Sequence, residues 1–127
     1  KVFAHAADEW NSEVQTPIVF QGHLFAVGKK KRGLFTCVAP DGKQVWTSEG
    51  KASFELGSFL LADGMFLILE GKTGVLRLVE ASTAAYKELA SAPVLKGPDV
   101  WGPLALSDGK LVVRDLGQMV CLDLKRR

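Results

Sequence analysis

Three times along the 127-residue chain, two short apolar runs face each other across a polar residue and a glycine. The first pair is Pro17-Ile18-Val19-Phe20 and His23-Leu24-Phe25-Ala26-Val27, joined by Gln21-Gly22. The second is Ser58-Phe59-Leu60-Leu61-Ala62 and Met65-Phe66-Leu67-Ile68-Leu69, joined by Asp63-Gly64. The third is Pro103-Leu104-Ala105-Leu106-Ser107 and Lys110-Leu111-Val112-Val113, joined by Asp108-Gly109. Runs this short are strand-length, and a two-residue connection needs φ > 0, so each pair reads as a β-hairpin. Gly22, Gly64 and Gly109 are spaced 42 and 45 residues apart. A period in the forties built on hairpins predicts an all-β chain of stacked sheets. The runs are apolar at nearly every position, which predicts strands covered on both faces.

A third strand follows each hairpin: 34–38, 75–79 and 118–122. Cys37, Leu78 and Cys121 fall in one column of these strands, 15, 14 and 12 residues after their glycines. The column predicts core-filling thiols two sheets apart, beyond the ~7 Å Cα separation that a disulfide spans. Both cysteines are therefore expected reduced and buried. A fourth strand is predicted at 44–47, after the turn Pro40-Asp41-Gly42, and at 85–89. Lys1-Val2-Phe3-Ala4-His5 shares the Val-aromatic-small pattern of Val45-Trp46-Thr47, giving an aromatic column Phe3, Trp46, Tyr86. The only run of good helix formers, 81–92, falls where the repeat wants a strand.

Ala39, Asp41, Gly42 and Trp46 resemble the docking motif of the pyrroloquinoline-quinone-like β-propeller repeat family, Ala-x-Asp-x-x-Thr-Gly-x-x-x-Trp. Here the loop is about two residues shorter and the threonine is missing. The run Trp101-Gly102-Pro103-Leu104 onward, through Val120-Cys121-Leu122-Asp123, resembles the last blade of such bacterial proteins. The resemblance implies four-stranded antiparallel blades within one segment, residues 1–127. Residues 1–5 would be an orphan fourth strand, 17–50 the first blade and 57–92 the second. Residues 102–127 would be a third blade lacking its fourth strand. Natural rings use roughly four to eight blades. Three would each have to fill about 120° of arc, too much for packed sheets about 10 Å apart. The expected partner is a second copy, in a strand-exchanged dimer where residues 1–5 complete the other copy's third blade, or the remainder of a longer propeller. The resemblance also implies a periplasmic or secreted location.

Sixteen basic and fourteen acidic residues give a net charge of +2, too balanced to call for nucleic acid or an anionic membrane. Mean hydropathy is +0.12, and no run approaches the ~20 apolar residues of a membrane span. The two histidines, His5 and His23, have no metal-binding motif around them, and Gly-x-Ser-x-Gly and Gly-x-Gly-x-x-Gly are absent. No catalytic residue, metal or cofactor is assigned. The charge run Lys29-Lys30-Lys31-Arg32 reads as a solvated strand connection or an anion contact, and Arg114-Asp115 as a turn salt bridge. The long loops 6–16, 48–57 and 91–102 carry Trp10 and Trp101, with Glu9, Asn11, Glu13 and Asp99 nearby. Function concentrates on such loops, so these six residues form the candidate binding face. Trp10 and Trp101 read either as exposed binding aromatics or as lids over the gap between sheets. The expected function is a non-catalytic binding or protein-interaction scaffold. The alternative is a fragment of a quinone- or metal-dependent enzyme related to dehydrogenases.

Overall fold

In the computed structural model, residues 1–7, 9–28 and 33–125 are described. They contain eleven strands in three antiparallel sheets and no helix. The first sheet holds β1 (Ile18–Phe20), β2 (His23–Gly28), β3 (Leu34–Val38) and β4 (Gln44–Thr47) in sequence order. The second holds β5 (Phe59–Ala62), β6 (Met65–Leu69), β7 (Val75–Glu80) and β8 (Glu88–Pro93), again in order. The third has three strands, β9 (Ala105–Ser107), β10 (Lys110–Arg114) and β11 (Met119–Asp123). The charge run 29–32 lies outside the described residues.

All three hairpins form where the pattern places them, with Phe20 opposite His23, Ala62 opposite Met65 and Ser107 opposite Lys110. The two residues between are left-handed each time: Gln21 and Gly22 at φ 48° and 72°, Asp63 and Gly64 at 49° and 71°, Asp108 and Gly109 at 48° and 73°. Paired positive φ values are the type I′ signature, whose twist matches that of the flanking strands. The third-strand column is equally regular. Cys37 pairs with Phe25, Leu78 with Leu67 and Cys121 with Val112, each three residues after its turn glycine. The pairing between third and fourth strands shifts register at Cys37/Val38 and at Leu78/Val79, the same column in both sheets.

Two apolar layers bind the sheets into an open stack, and no ring closes among the described residues. Phe25, Val27, Phe35, Cys37 and Trp46 of the first sheet meet Phe59, Phe66, Ile68 and Val79 of the second. The opposite face of the second sheet presents Leu67, Leu69 and Leu76 to Leu111 and Val113 of the third. The expectation of two covered faces holds for the second sheet. In the first it holds for β2 and β3, by a different route, while Val19 of β1 and Val45 of β4 stay exposed. Ala26, Thr36 and Val38 point away from the second sheet yet are buried. Beside them lies the N-terminal segment. The Trp10 ring sits over Gly28, and Phe3 sits so close to Gly42 that a Cβ there would come 2.7 Å from its Cγ. The His5 ring bridges Phe3 and Trp10 edge-on, at 5.4 and 5.8 Å between centroids. Residues 1–5 form no strand within the chain; Phe3 serves as cover.

Three expectations are corrected. The third sheet alternates between exposed and covered positions, because no layer lies on its far side. Cys121 is therefore exposed, while Cys37 is buried; both are free thiols, as expected. The fourth strand of the second sheet spans Glu88–Pro93, not 85–89, so Ala90 rather than Tyr86 stands opposite Leu78. Tyr86 comes from the preceding loop, which closes through a Glu80 N–H to Lys87 carbonyl bond, and its ring still reaches Trp46 at 6.1 Å.

Candidate functional site

The six residues of the expected binding face do not form one site. Glu9 caps a local turn, its Oε2 accepting the Ala6 N–H at 3.0 Å and lying 3.7 Å from His5 Nδ1. Trp10 is half-buried on the outer side of the first sheet, so it is a lid, over a sheet face rather than over a gap between sheets. Asn11 and Glu13 are exposed, and Glu13 borders a narrow crevice with Val14, Gln15, Glu55 and Leu56.

Asp99 and Trp101 do come together, at the end of the stack where chain crosses from the second sheet to the third. They line an open hollow of about 330 Å³ with Glu55, Leu56, Lys72 and Pro98. Trp101 is 43% exposed, and its ring packs over Gly71, 3.1 Å from where a Cβ would stand. The Gln15 side-chain amide donates to the Trp101 carbonyl at 3.2 Å, tying the N-terminal loop to the third sheet's entry. Glu55 and Asp99 both take left-handed backbone, at φ 52° and 58°.

Polar groups outside that face serve the fold. Arg77 donates to Glu70 Oε1 at 2.7 Å and to both oxygens of Glu88 at 2.8 and 3.0 Å. Glu70 also accepts from the Thr73 hydroxyl, and Glu88 from the Tyr86 hydroxyl at 3.2 Å. Desolvation opposes charge on Arg77, but the two carboxylates outweigh it and raise its pKa. Burial, then the Glu88 charge, pushes the Tyr86 phenol up and keeps it protonated. Arg114-Asp115 is not a turn salt bridge. Asp115 is buried and accepts the N–H groups of Gly97, Gly117 and Gln118, while Arg114 lies against Gly102. The Gly117 amide, foremost among those donors, outweighs desolvation and holds the Asp115 carboxyl below its ordinary pKa. Among the described residues no group of three or more His, Cys, Asp or Glu is placed to hold a metal ion. No described helix is long and apolar enough to cross a membrane.

Sequence reasoning missed an apolar cleft of about 510 Å³ between the second and third sheets at their turn ends. Its signal was present as a column difference. Phe20 stands two residues before its turn glycine, and Ala62 occupies that place in the next repeat. No protein-family model matches the chain, and no curated protein shows significant similarity to it.

Proposed function

We propose that the chain is a non-catalytic module of propeller-type blades, built on a repeat like that of the pyrroloquinoline-quinone-like family, whose work is to bind another protein layer. The supporting observation is the asymmetry of the stack. The first sheet's outer face is covered over β2 and β3 by the chain's own N-terminal segment. The third sheet's outer face is bare, with Val112 half-buried and Cys121 exposed on neighbouring strands. Met119 is 73% exposed on the same face, and Leu116 is 73% exposed just before it. The edge strand β11 also lacks the fourth strand that β3 and β7 carry. Its neighbours Gln118 and Leu124 turn their backbone groups toward the β9–β10 side. By the antiparallel alternation, Met119 and Cys121 turn theirs to the open edge. A face that exposes Met119 and Cys121 beside the charged Lys110, Arg114 and Asp123, next to an open strand edge, is the kind of surface that β-layers use to associate.

On this reading the partner is a second copy, meeting the first through the third sheets related by a two-fold axis. The N-terminal segment lying over β2 and β3 of the first sheet favours this like-to-like contact over a head-to-tail one. A periplasmic or secreted location belongs to the same proposal and rests on the repeat resemblance. Sedimentation velocity tests it: a concentration-dependent dimer is expected, and Met119→Asp should return it to monomer. A wild-type chain that stays monomeric at high concentration removes the reading.

A further inference from the structure

The cleft between the second and third sheets carries a binding assignment of its own. Its walls are Ala62, Met65, Leu67 and Leu78 from the second sheet, Leu106 from the third, and Leu124 beyond it. The mouth is formed by the two hairpin turns. There Asp108 is already paired with Lys125 at 2.8 Å, while Asp63 is exposed and bears the mouth's remaining carboxylate.

The chain itself shows what such a space holds. At the matching place between the first and second sheets, Phe20 takes the position of Ala62, Phe25 that of Leu67, and Trp46 that of Ala90. Their rings pack on each other and on Phe66, with Phe25–Phe66 at 4.8 Å, Phe20–Phe66 at 6.4 Å and Phe25–Trp46 at 5.8 Å. Where the second interface substitutes alanine and leucine, the ring-sized space is left open to solvent through the mouth. Cleft volumes of this order, with an apolar lining and a few charged groups at the rim, suit small organic ligands.

We propose that this cleft binds a small aromatic amine: one or two fused rings seated against Leu67, Leu78 and Leu106, with an ammonium arm at the Asp63 carboxylate. The apolar walls take the ring by removing its surface from water, as Phe25 is removed fully and Phe20 in part in the sister interface. The mouth supplies the charge preference, since Lys125 offsets Asp108 and, among the described residues, no cation is paired with Asp63.

A methyl-labelled NMR titration tests this, with tryptamine as the probe and indole-3-acetate as its anionic counterpart. Saturable shifts are expected at the methyls of Ala62, Leu67, Leu78 and Leu106, and binding of the acid should be several-fold weaker. Ala62→Phe, which puts the sister ring into the cleft, should abolish the shifts. Asp63→Asn lies at the exposed mouth and leaves the core untouched, so it remains informative should the first variant not fold. It should weaken tryptamine and bring the two probes level. No saturable shift at these methyls, equal binding of the two probes to the wild-type chain, or unchanged binding in a folded Ala62→Phe variant overturns the proposal. None of these outcomes depends on whether the chain dimerises.

Discussion

Between the first and second sheets, six equivalent places hold Phe20, Phe25, Phe35, Trp46, Phe59 and Phe66. Between the second and third sheets the same places hold Ala62, Leu67, Leu76, Ala90, Leu104 and Leu111. The backbone frame is the same in both: type I′ hairpins, the same third-strand register, the same order of strands. The fillings differ. The aromatic interface is a continuous contact of rings, in which Phe35 alone lies within 6.2 Å of Phe25, Trp46, Phe54, Phe59 and Phe66. The aliphatic one buries Leu67, Leu69, Leu76 and Leu111 and leaves a cleft at the turn end. Strand pairing and interlayer packing are thus separable in this chain. Hairpin chemistry sets where strands lie, and side-chain volume sets how tightly the layers close.

The comparison breaks first if its two central residues are equivalent in energy. Phe66 and Leu111 occupy the same place, two residues after their turn glycines, and both are fully buried. Truncating a buried Phe to Ala costs about 3–5 kcal/mol and a buried Leu about 2–5, depending on how far the site relaxes. Phe66→Ala, which removes a ring with partners on all sides, should fall at the upper end. Leu111→Ala, beside a cleft that already relieves packing, should fall at the lower end. Urea unfolding of the two variants measures this, and equal losses would mean that the interfaces are packed alike.

The second break runs the other way. Ala62→Phe places the first interface's ring in the second. Filling an existing cavity commonly stabilises by about 0.5–2 kcal/mol, so the midpoint of unfolding should rise. A fall would show that the cleft's shape does not match the ring it lacks.

How much of this was legible follows the same division. The hairpins were readable because Asp-Gly and Gln-Gly between apolar runs leave few alternatives. The Cys37–Leu78–Cys121 column was readable because hairpin geometry fixes the distance to the next strand. The fourth strand of the second sheet was not. Trp46 follows Cys37 by nine residues, but Ala90 follows Leu78 by twelve, because the loop ending at Lys87 is longer than the Pro40-Asp41-Gly42 turn. Glu88–Pro93 is exposed throughout, so no apolar pattern marks it. Tyr86 misled because a loop residue supplies a ring where the first sheet uses a strand residue. The candidate face was half-legible: Asp99 and Trp101 share a hollow, but Trp10 was drawn to the first sheet's outer face by Gly28 and His5, contacts that spacing does not reveal. The cleft required comparing columns for volume rather than for polarity.

A third prediction uses charge at the third sheet's entry, where the second interface is tied by hydrogen bonds instead of rings. Asp115 is held by three backbone N–H groups, and its pKa is lowered. A carboxyl whose folded pKa lies below its unfolded value of about 3.9 contributes stability above that pH, and the contribution is lost as pH falls through the folded value. Acid should therefore loosen the loop around Gly97 and Gly117 before it disturbs the aromatic interface. Hydrogen exchange at those two amides, followed downward from pH 5, checks the order. Asp115→Asn should show the faster exchange already at neutral pH.

The smallest effect separates the two thiols, which share a column but not an environment. Cys37 lies between the first two sheets with no exposed surface, and burial pushes its pKa to about 11. Cys121 stands in the same register on a face that no layer covers. Only the thiolate is nucleophilic, and at pH 8 a pKa near 11 leaves about a thousandth of a thiol ionised. An aromatic disulfide reagent should thus label one thiol per chain rapidly, and Cys121→Ser should remove that label. Cys37 should react only as fast as the chain opens. The sign of its pH dependence is set by the raised value: the folded state favours the protonated thiol, so its contribution is complete below about pH 8.5 and declines as pH rises toward 11. The labelling rate of Cys37 in the Cys121→Ser variant should climb across that range more steeply than thiol ionisation in an unfolded peptide allows. If a second copy covers the third sheet, Cys121 labelling should also slow as protein concentration rises while the Cys37 rate stays fixed, so the pair reports separately on the closed interface and on the open face.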